Sequence, residues 1–374
     1  MHLSESAMMD GANPFEFDGP VPVDHVIDRQ READAIEAWT REGQLMVLAA
    51  PRRYGKTSLI HKVSSEGKRN GLVVVTADLF GVASLADLVL RLERAWAQYT
   101  PERLRPTVVK ILAAARAGVS ISGSGFAVTM ADSPAADPLS ALRVILELPT
   151  QLAQREGERI LIVLDEFQSV AGVPEAESLI WQHAHQHLDA VSYLFSVGRP
   201  DIVPESPSGR PVETLRLGRL PVTELHEAIK KRFVAGNRDV AGVLDGLLTA
   251  GEGHPQRTML LAHLLWQEVH MGAQATDDHW EAALTMALRL VAPEAQATMS
   301  GLSAGQRKVL RAVAEYGTPM AARALRTLGL PKTTAQKATP HLVAAGLIEE
   351  MSRGWRVIDP LLARWIRTNY GTRA

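Results

Sequence analysis

The feature that most constrains this chain is the run Ala50-Pro51-Arg52-Arg53-Tyr54-Gly55-Lys56-Thr57, which lies between a short apolar segment and a segment with helical apolar periodicity. This layout is typical of a phosphate-binding loop that joins a strand to a helix. In such a loop, backbone N–H groups and the positive end of the helix dipole surround phosphate oxygens. We expect Lys56 to reach the β- and γ-phosphates and Thr57 to place its hydroxyl on Mg²⁺. The run therefore predicts binding of a nucleoside triphosphate.

One position departs from the usual loop pattern, G-x-x-x-x-G-K-[ST]. Ala50 stands where the first glycine is normally found. Alanine fits there only if its φ angle stays negative, because a Cβ atom disfavours the left-handed region. The roles of the two loop arginines stay open: one of Arg52 and Arg53 is expected to pair with an acid and the other to touch phosphate.

A second apolar segment, Ile160–Leu164, ends in the carboxylates Asp165 and Glu166. Open α/β sheets bind ligands at the carboxyl ends of their strands, so we expect this pair to lie beside the phosphate-binding loop. Asp165 would hold Mg²⁺ directly or through water, and Glu166 would polarise the water that attacks the γ-phosphate. We predict Lys56, Asp165 and Glu166 as catalytic residues, with Thr57 and Asp165 as magnesium ligands.

The next apolar segment, Val191–Val197, ends in Ser196-Val197-Gly198-Arg199. If the sheet is regular, this end lies next to the γ-phosphate. Ser196 or Arg199 would then sense that phosphate, Arg199 by a bidentate contact. The alternative for Arg199 is a role in stabilising the turn.

Size and composition set further limits. A chain of 374 residues is long enough for two or three domains at roughly 150 residues each. It contains no cysteine, which excludes disulfides, thiolate metal sites and cysteine nucleophiles. Its apolar segments are too short to span a membrane, and the acidic start of the chain does not resemble a secretory signal. We therefore expect a cytoplasmic protein with no membrane partner.

Short apolar segments alternate with helical patterns over the first half of the chain, which indicates a parallel sheet covered on both faces. Alternating apolar residues on either side of 123–125 predict an inserted hairpin. Past residue 211 the pattern is helical without strands, and one helix is expected over Asp277–Val291. The predicted fold class is thus α/β, with the parallel sheet and flanking helices of a P-loop NTPase. The expected domains are an extended arm (1–28), the core (29–218, with the hairpin at about 117–132), a helical lid (219–297) and a winged helix (298–374).

The winged-helix prediction rests on three helical segments between Ala304 and Ala345, followed by two short strands around Ser352-Arg353-Gly354. The segment 298–374 carries a net charge of +8, although the whole chain carries −2. This asymmetry favours a polyanion partner such as double-stranded DNA; the alternatives are a protein partner, or a basic face that docks on the acidic remainder. Side chains suited to phosphate and base-edge contact lie on or near the third helix and the turn of the wing. The candidates are Lys332, Thr333, Thr334, Gln336, Lys337, His341 and Arg353.

Histidines mark two other places. Gly253-His254-Pro255 precedes an apolar helix in the lid, so His254 and Arg257 are candidates for a nucleotide contact. The alternative is that His254 only caps the helix. The group His183, His185 and His187 is not expected to bind a metal, because only two of the three share a helix face.

Several of these motifs occur together in one known family. They include Asn13-Pro14-Phe15, the loop Pro51–Leu59, Asp165-Glu166-Phe167-Gln168 and Gly253-His254-Pro255. On these residues the chain resembles the archaeal-type ATPase family within the STAND and AAA+ P-loop NTPases. Asp28 departs from that family, where glycine usually precedes the arginine.

The resemblance implies an ATP-binding core, a helical lid and a winged helix, with ATP or ADP and Mg²⁺ as cofactors. Ile27 and Arg29 are implied to lie near the adenine or the phosphates. The remaining nucleotide contacts that we predict are Pro51, Arg52, Arg53, Tyr54, Gly55, Lys56, Thr57, Ser58, His254 and Pro255.

Three functional hypotheses follow. The leading one is a slow, Mg²⁺-dependent ATPase whose nucleotide state controls binding by the C-terminal module. The second is a replication-initiator or loader-like protein that binds duplex DNA. The third is a nucleotide-gated adaptor that does not hydrolyse ATP. The oligomeric state is left open.

Overall fold

The computed structural model describes residues 12–114, 118–122, 125–129, 137–173, 175–186, 190–198, 212–320 and 322–371. By its contacts the chain forms two compact units. The core unit comprises Pro22–Arg52 and Lys56–Leu217, and the helical unit comprises Met1–Val21, Arg53–Gly55 and Gly218–Ala374. The described helices include none with the length and apolar character that a membrane crossing needs.

The core unit is built on a five-stranded sheet. Its strands, with two more that pair separately, are β1 (Leu45–Ala49), β2 (Val73–Asp78), β3 (Gly118–Ser122), β4 (Gly125–Thr129), β5 (Ile160–Asp165), β6 (Val191–Val197) and β7 (Glu213–Arg216). The order in the sheet is β2-β5-β6-β1-β7, and every neighbouring pair is parallel. β3 and β4 pair antiparallel in the segment predicted as a hairpin, whose turn residues 123–124 lie outside the described residues.

Burial explains which strands the sequence shows clearly. Every residue of β1, β5 and β6 is buried, so these strands are nearly continuous apolar runs, as expected for a parallel sheet covered on both faces. The expectation of no strand between residue 211 and the winged helix is wrong, because β7 pairs with β1 at the edge of the sheet. Its four residues are half-buried or exposed, so a short polar edge strand left no apolar signal.

Helices cover the sheet of the core unit. They are α1 (Gln30–Arg41), α2 (Lys56–Arg69), α3 (Leu85–Tyr99), α4 (Arg105–Ala114), α5 (Pro138–Glu156) and α6 (Ala176–Gln186). Side-chain caps begin two of them: Ser84 accepts a hydrogen bond from the Asp87 N–H, and Asp137 accepts from the Leu139 N–H. Such caps satisfy N–H groups that have no partner within the helix.

The helical unit contains eight further helices and a two-stranded antiparallel sheet among its described residues. They are α7 (Val222–Ala235), α8 (Leu244–Gly251), α9 (Pro255–Glu268), α10 (Asp277–Gly301), α11 (Ala304–Tyr316), α12 (Ala322–Thr327), α13 (Lys332–Ala344), β8 (Ile348–Met351), β9 (Gly354–Val357) and α14 (Pro360–Tyr370). One apolar cluster joins the end of α10 to α11, α13, the small sheet and α14. The two strands follow three helices, in the order that the sequence indicates.

α10 is longer than predicted. The expected end at Val291 is wrong, since the helix continues past Pro293 to Gly301. A proline inside a helix leaves the carbonyl four residues earlier without its partner. Here Pro293 and Arg289 are both exposed, so that carbonyl can be solvated. The domain boundaries stay a prediction. The predicted boundary between the lid and the winged helix, at 297/298, lies inside α10.

The described part of the N-terminal arm is anchored by an aromatic residue. Phe15 is fully buried, with its ring centroid 5.2 Å from that of Phe233 and 5.8 Å from that of Trp266. Asn13 donates a hydrogen bond of 2.9 Å to the His263 carbonyl. Residues 12–21 of the arm therefore pack as part of the helical unit, whereas the predicted arm from Pro22 onward belongs to the core unit.

Candidate nucleotide site

The sheet order places three strand ends side by side. β6 lies between β1 and β5, with Ala49 opposite Val197 and Leu164 opposite Phe195. Because all three strands are parallel, the loop after β1, the acids after β5 and the residues after β6 leave the sheet at one edge. This is the edge at which open α/β sheets bind ligands.

The two predicted magnesium ligands are neighbours there. Thr57 Oγ1, in the first turn of α2, donates a hydrogen bond of 3.2 Å to Asp165 Oδ2. Adjacent ligands of an octahedral Mg²⁺ ion are about 2.9 Å apart, given bonds of roughly 2.0–2.1 Å. A hydroxyl and a carboxylate oxygen at this separation therefore fit a magnesium ion that both would hold.

Lys56 lies in the same place and is buried. Its ammonium is 3.3 Å from the Ala50 carbonyl oxygen and 3.7 Å from Glu166 Oε1. Burial lowers the pKa of Lys56, and the neighbouring carboxylates of Glu166 and Asp165 oppose that shift. A buried, poorly solvated cation of this kind is suited to bind phosphate oxygens.

The backbone of the loop explains how Ala50 is tolerated. Positive φ angles fall on Arg53 (66°) and Gly55 (84°), and Ala50 is not among the described residues with positive φ. The Ala50 N–H donates to the Val197 carbonyl at 3.2 Å, which ties the start of the loop to β6. Alanine therefore meets no left-handed backbone conformation at position 50.

The departure at Asp28 also has a backbone explanation. Asp28 and Arg29 have φ angles of 58° and 74°, the left-handed region in which glycine is the usual residue and aspartate the more tolerated substitute. Arg29 is buried and forms an ion pair of 2.8 Å with Glu32. Ile27 is half-buried beside them. Their contact with adenine or phosphate stays a prediction.

Glu166 is held from several sides. It has a positive φ of 55°, and its N–H donates 3.0 Å to Oδ1 of Asp165. One carboxylate oxygen faces Lys56, and the other accepts a hydrogen bond from Gln168 Nε2. In turn, Gln168 Oε1 accepts 3.1 Å from the N–H of Gly198, directly after β6. In the sequence, Gln168 is visible only as the last residue of Asp165-Glu166-Phe167-Gln168. The bridge that its amide forms between Glu166 and Gly198 was not predicted.

The two candidate sensors after β6 differ in what can be described. Ser196 is fully buried, and its hydroxyl has no hydrogen-bond partner among the described residues. Arg199 lies outside the described residues. A sensing role for either stays a prediction.

The structure separates the roles of the two loop arginines. Arg53 pairs with Glu294 of α10, at 2.6 Å and 2.8 Å to its two carboxylate oxygens. In the core unit, the guanidinium of Arg52 lies 5.5 Å from the centroid of the exposed Phe80 ring. Arg53 is therefore the arginine that pairs with an acid, and Arg52 is free of a carboxylate partner among the described residues.

The Arg53 pair continues into a longer network within the helical unit. Glu294 also accepts 3.1 Å from Arg257 of α9, and Arg257 Nε donates 2.8 Å to Asp359. Asp359 caps α14 by accepting from the N–H groups of Leu361 and Leu362. The side chains Arg53, Glu294, Arg257 and Asp359 thus connect the phosphate-binding loop to the N-terminus of the last helix.

Tyr54 and His254 form a second contact of the loop within the helical unit. Their ring centroids are 4.9 Å apart. His254 Nδ1 accepts a 3.3 Å hydrogen bond from the Arg257 N–H, which caps α9, and Pro255 occupies the first turn. Burial lowers the pKa of His254 to about 3, against the opposing effect of Asp359, so the ring is neutral at physiological pH. The capping role is observed, and a nucleotide contact by His254 or Pro255 stays a prediction.

An open cavity of about 680 Å³ adjoins Thr57, Asp165 and Glu166 in the core unit. Arg52, Phe80 and residues of α3 line its outer part. The volume is within the roughly 300–1,000 Å³ of ligand pockets.

The histidine group shows a different arrangement. His183 Nε2 is 3.3 Å from a carboxylate oxygen of Glu147, and His185 stacks on Trp181. His187 lies outside the described residues.

Taken together, the parallel sheet and the loop between β1 and α2 define a P-loop NTPase fold, and the predicted fold class is confirmed. Among solved structures, the chain is similar to the Walker-type ATPase paby2304 of Pyrococcus abyssi, with a TM-score of 0.69 and 16% sequence identity over 95% of this chain and 99% of that one. At this identity the likeness is one of fold.

Two further similar structures have lower TM-scores. They are the Aeropyrum pernix Orc1 protein in complex with DNA (0.47, 12% identity, 92% of this chain and 93% of that one) and the Thermotoga maritima RuvB Holliday junction branch migration motor (0.45, 18% identity, 91% and 96%). No protein-family model and no curated protein matches the sequence.

The neutral state of His254 predicts a pH effect on stability. Its pKa in the folded protein is about 3, below the ordinary 6.5. As the pH falls below 6.5, the unfolded chain takes up a proton on His254 before the folded protein does. The free energy of unfolding therefore decreases between pH 6.5 and pH 3, by at most about 5 kcal/mol. In His254→Asn, which keeps a capping oxygen, urea unfolding should lose less stability between pH 6.5 and 4. An equal loss of stability in the two proteins between pH 6.5 and 4 would contradict the lowered pKa of His254.

Proposed function

We propose that this protein is a Mg²⁺-dependent ATP-binding switch that hydrolyses ATP slowly. In this proposal, nucleotide state controls a C-terminal winged helix that binds DNA or a protein partner. The observation that carries it is the convergence of Lys56 and Thr57 with Asp165 and Glu166 at one sheet edge. A phosphate-binding loop beside a paired acid is the arrangement that NTP hydrolysis requires.

Each residue has a defined part in that reaction. Lys56 and the N–H groups of the loop would bind the phosphates, and Thr57 and Asp165 would hold a Mg²⁺ ion, which would supply neutralisation of phosphate charge. The carboxylate of Glu166 accepts a hydrogen bond from the attacking water and orients it. Slow turnover is expected of a switch, because each nucleotide state must persist long enough to act on a partner.

The network that begins at Arg53 supports the coupling. Arg53 pairs with Glu294, and a nucleotide phosphate in the loop is a competing anion for the same guanidinium. Any weakening of the Arg53 pair changes the charge balance around Glu294. Arg257 pairs with Glu294 and also with Asp359, which caps α14. In this proposal, nucleotide binding would act on the start of the last helix through these charged side chains.

The charge distribution of the C-terminal segment supports a polyanion partner. Several of its basic residues are engaged internally: Arg307 donates to the Leu302 carbonyl, Lys308 to that of Gly329 and Arg367 to that of Ala314. Others are exposed with no acidic partner among the described residues. These are Arg323, Arg326, Lys332, Lys337 and Arg353, on α12, on α13 and at the β8–β9 turn.

The candidate contact residues on α13 fall into two groups. Lys332, Thr333, Gln336 and Lys337 are exposed, as is His341 one turn later. Thr334 is half-buried, and its methyl group lies 2.7 Å from where a Cβ on Gly305 would be, so it packs against α11. The exposed set has the spacing of one helix face. It also favours the initiator-like alternative, in which duplex DNA is the partner.

Two substitutions test the nucleotide site. Lys56→Ala should abolish ATP binding, because it removes the buried cation that faces the phosphates. Glu166→Gln should bind ATP with near-normal affinity and lower the rate of phosphate release by about 100-fold or more. Calorimetry with Mg²⁺ and a phosphate-release assay check the two variants. Wild-type hydrolysis in both would refute the site, and tight ATP binding without turnover in the wild type would favour the adaptor.

A third test concerns the polyanion surface. Lys337→Ala should weaken binding of a fluorescent duplex and reduce the slope of log affinity against log salt by about 0.9, since one phosphate contact is lost. Lys230→Ala, an equal charge change on the exposed part of α7, is the control and should leave the slope unchanged. Duplex binding that is absent, or insensitive to salt, would exclude DNA and leave a protein partner.

The coupling itself is tested with Glu294→Gln. Freed from its carboxylate partner, Arg53 becomes available to phosphate, so ATP affinity should rise by about 1.5- to 5-fold, the size expected for an exposed ion pair. The difference in partner affinity between ATP-bound and nucleotide-free protein should also shrink, and the effect of the partner on ATP affinity should shrink by the same factor, because coupling is reciprocal. Glu281→Gln on the same helix is the matched control. An unchanged ATP affinity in Glu294→Gln would rule out competition for Arg53.

A further inference from the structure

The geometry points to Gln168 as a positioning residue that holds the base Glu166 by tying it to the backbone directly after β6. This inference rests on the proposed function, since it concerns hydrolysis at the same site. Gln168 lies in the 3₁₀ turn Phe167–Gly172 that follows β5. Its Nε2 donates to Glu166 Oε2, and its Oε1 accepts 3.1 Å from the Gly198 N–H.

The chemistry of the two partners fixes the orientation of the amide. A backbone N–H only donates, and an ionised carboxylate only accepts. The Gln168 oxygen must therefore face Gly198 and its nitrogen must face Glu166. The flipped amide would place two donors together at Gly198 and two acceptors together at Glu166. No other side chain of this length both accepts at one terminal atom and donates at the other, so the bridge is specific to glutamine.

Gly198 is also needed for this bridge. A Cβ atom at position 198 would lie 3.2 Å from Gln168 Nε2 and 3.4 Å from Glu166 Oε2. At 3.2 Å the amide would have to shift by a few tenths of an ångström, whereas 3.4 Å from the carboxylate is ordinary contact. The backbone after β6 therefore supplies the donor for Gln168 and the space in which the bridge fits.

The turn that carries Gln168 is itself well anchored. Phe167 is buried, with ring centroids 4.7 Å from Phe195 of β6 and 5.9 Å from Trp181 of α6. The Ser169 N–H donates 2.9 Å to the Glu166 carbonyl. A catalytic side chain has to be held within about 0.5 Å of its productive position. Glutamate alone, with three rotatable side-chain bonds, does not meet that requirement, and the anchored amide removes much of its freedom.

The arrangement predicts that Gln168 acts on turnover through Glu166. Gln168→Met keeps the length of the side chain and removes both hydrogen bonds. It should lower kcat for ATP by about 10- to 100-fold, the loss expected when a charge-assisted hydrogen bond to a catalytic group is removed. The KM for ATP should change less than about threefold, because phosphate binding by Lys56 is retained. Gln168→Glu, which places an acceptor against an acceptor, should lose at least as much activity.

Two further variants separate positioning from a purely structural effect. In the Glu166→Gln background, adding Gln168→Met should change the residual rate less than about twofold, since its target is already gone. Gly198→Ala should lower kcat several-fold with little effect on ATP affinity. Ser169→Ala, in the same turn, keeps the backbone hydrogen bond and is the control, with wild-type kcat expected. Melting temperatures of all variants verify folding.

The outcomes discriminate between the two proposals. If wild-type protein releases no phosphate from ATP, the proposed hydrolysis fails and the inference fails with it. If the wild type is active and Glu166→Gln is not, but Gln168→Met retains wild-type kcat, only the inference is overturned. The inference is also overturned if Gln168→Met lowers kcat by the same factor in the wild type and in the Glu166→Gln background. A rise in KM with unchanged kcat would overturn it as well.

Discussion

The parallel pairing of β1, β6 and β5 is the constraint on which the rest of the site depends. Each strand is completely buried, so apolar packing on both faces fixes its direction and register. The loop after β1 and the acids after β5 are separated by more than one hundred residues in sequence, yet Thr57 and Asp165 lie within hydrogen-bond distance. A shift of one residue in either pairing would turn these side chains away from each other.

That rigid sheet supports a strained backbone at its carboxyl edge. Among the described residues of the core unit, Glu166 directly after β5 has a positive φ of 55°, and Asp28 and Arg29 before α1 have φ angles of 58° and 74°. Such conformations cost on the order of 1–3 kcal/mol each and persist only where the surrounding structure enforces them. At Glu166 the strained conformation falls on a predicted catalytic residue, which is consistent with a functional site.

The sequence predicts local features of this structure better than distant pairings. Buried strands are visible as apolar runs, and the loop and the acids are visible because their chemistry requires particular residues in particular order. β7 was missed because an edge strand of Glu213-Thr214-Leu215-Arg216 lacks such a run, and the end of α10 was misplaced because an exposed Pro293 does not stop it. The bridges from Gln168 to Gly198 and from Arg53 to Glu294 join elements 30 and 241 residues apart, and no spacing rule connects those residues.

Ligand binding at this site is an exchange of partners. In the structure the cation of Lys56 faces Ala50 and Glu166, the Thr57 hydroxyl donates to Asp165, and Arg53 pairs with Glu294. In the proposed function, a triphosphate and its metal would replace these internal contacts. The net binding energy is then the difference between two sets of contacts, and it is smaller than the energy of the contacts made to the ligand. In the proposed coupling, a phosphate that drew Arg53 away from Glu294 would also alter the contacts of Arg257, to which Glu294 is hydrogen-bonded.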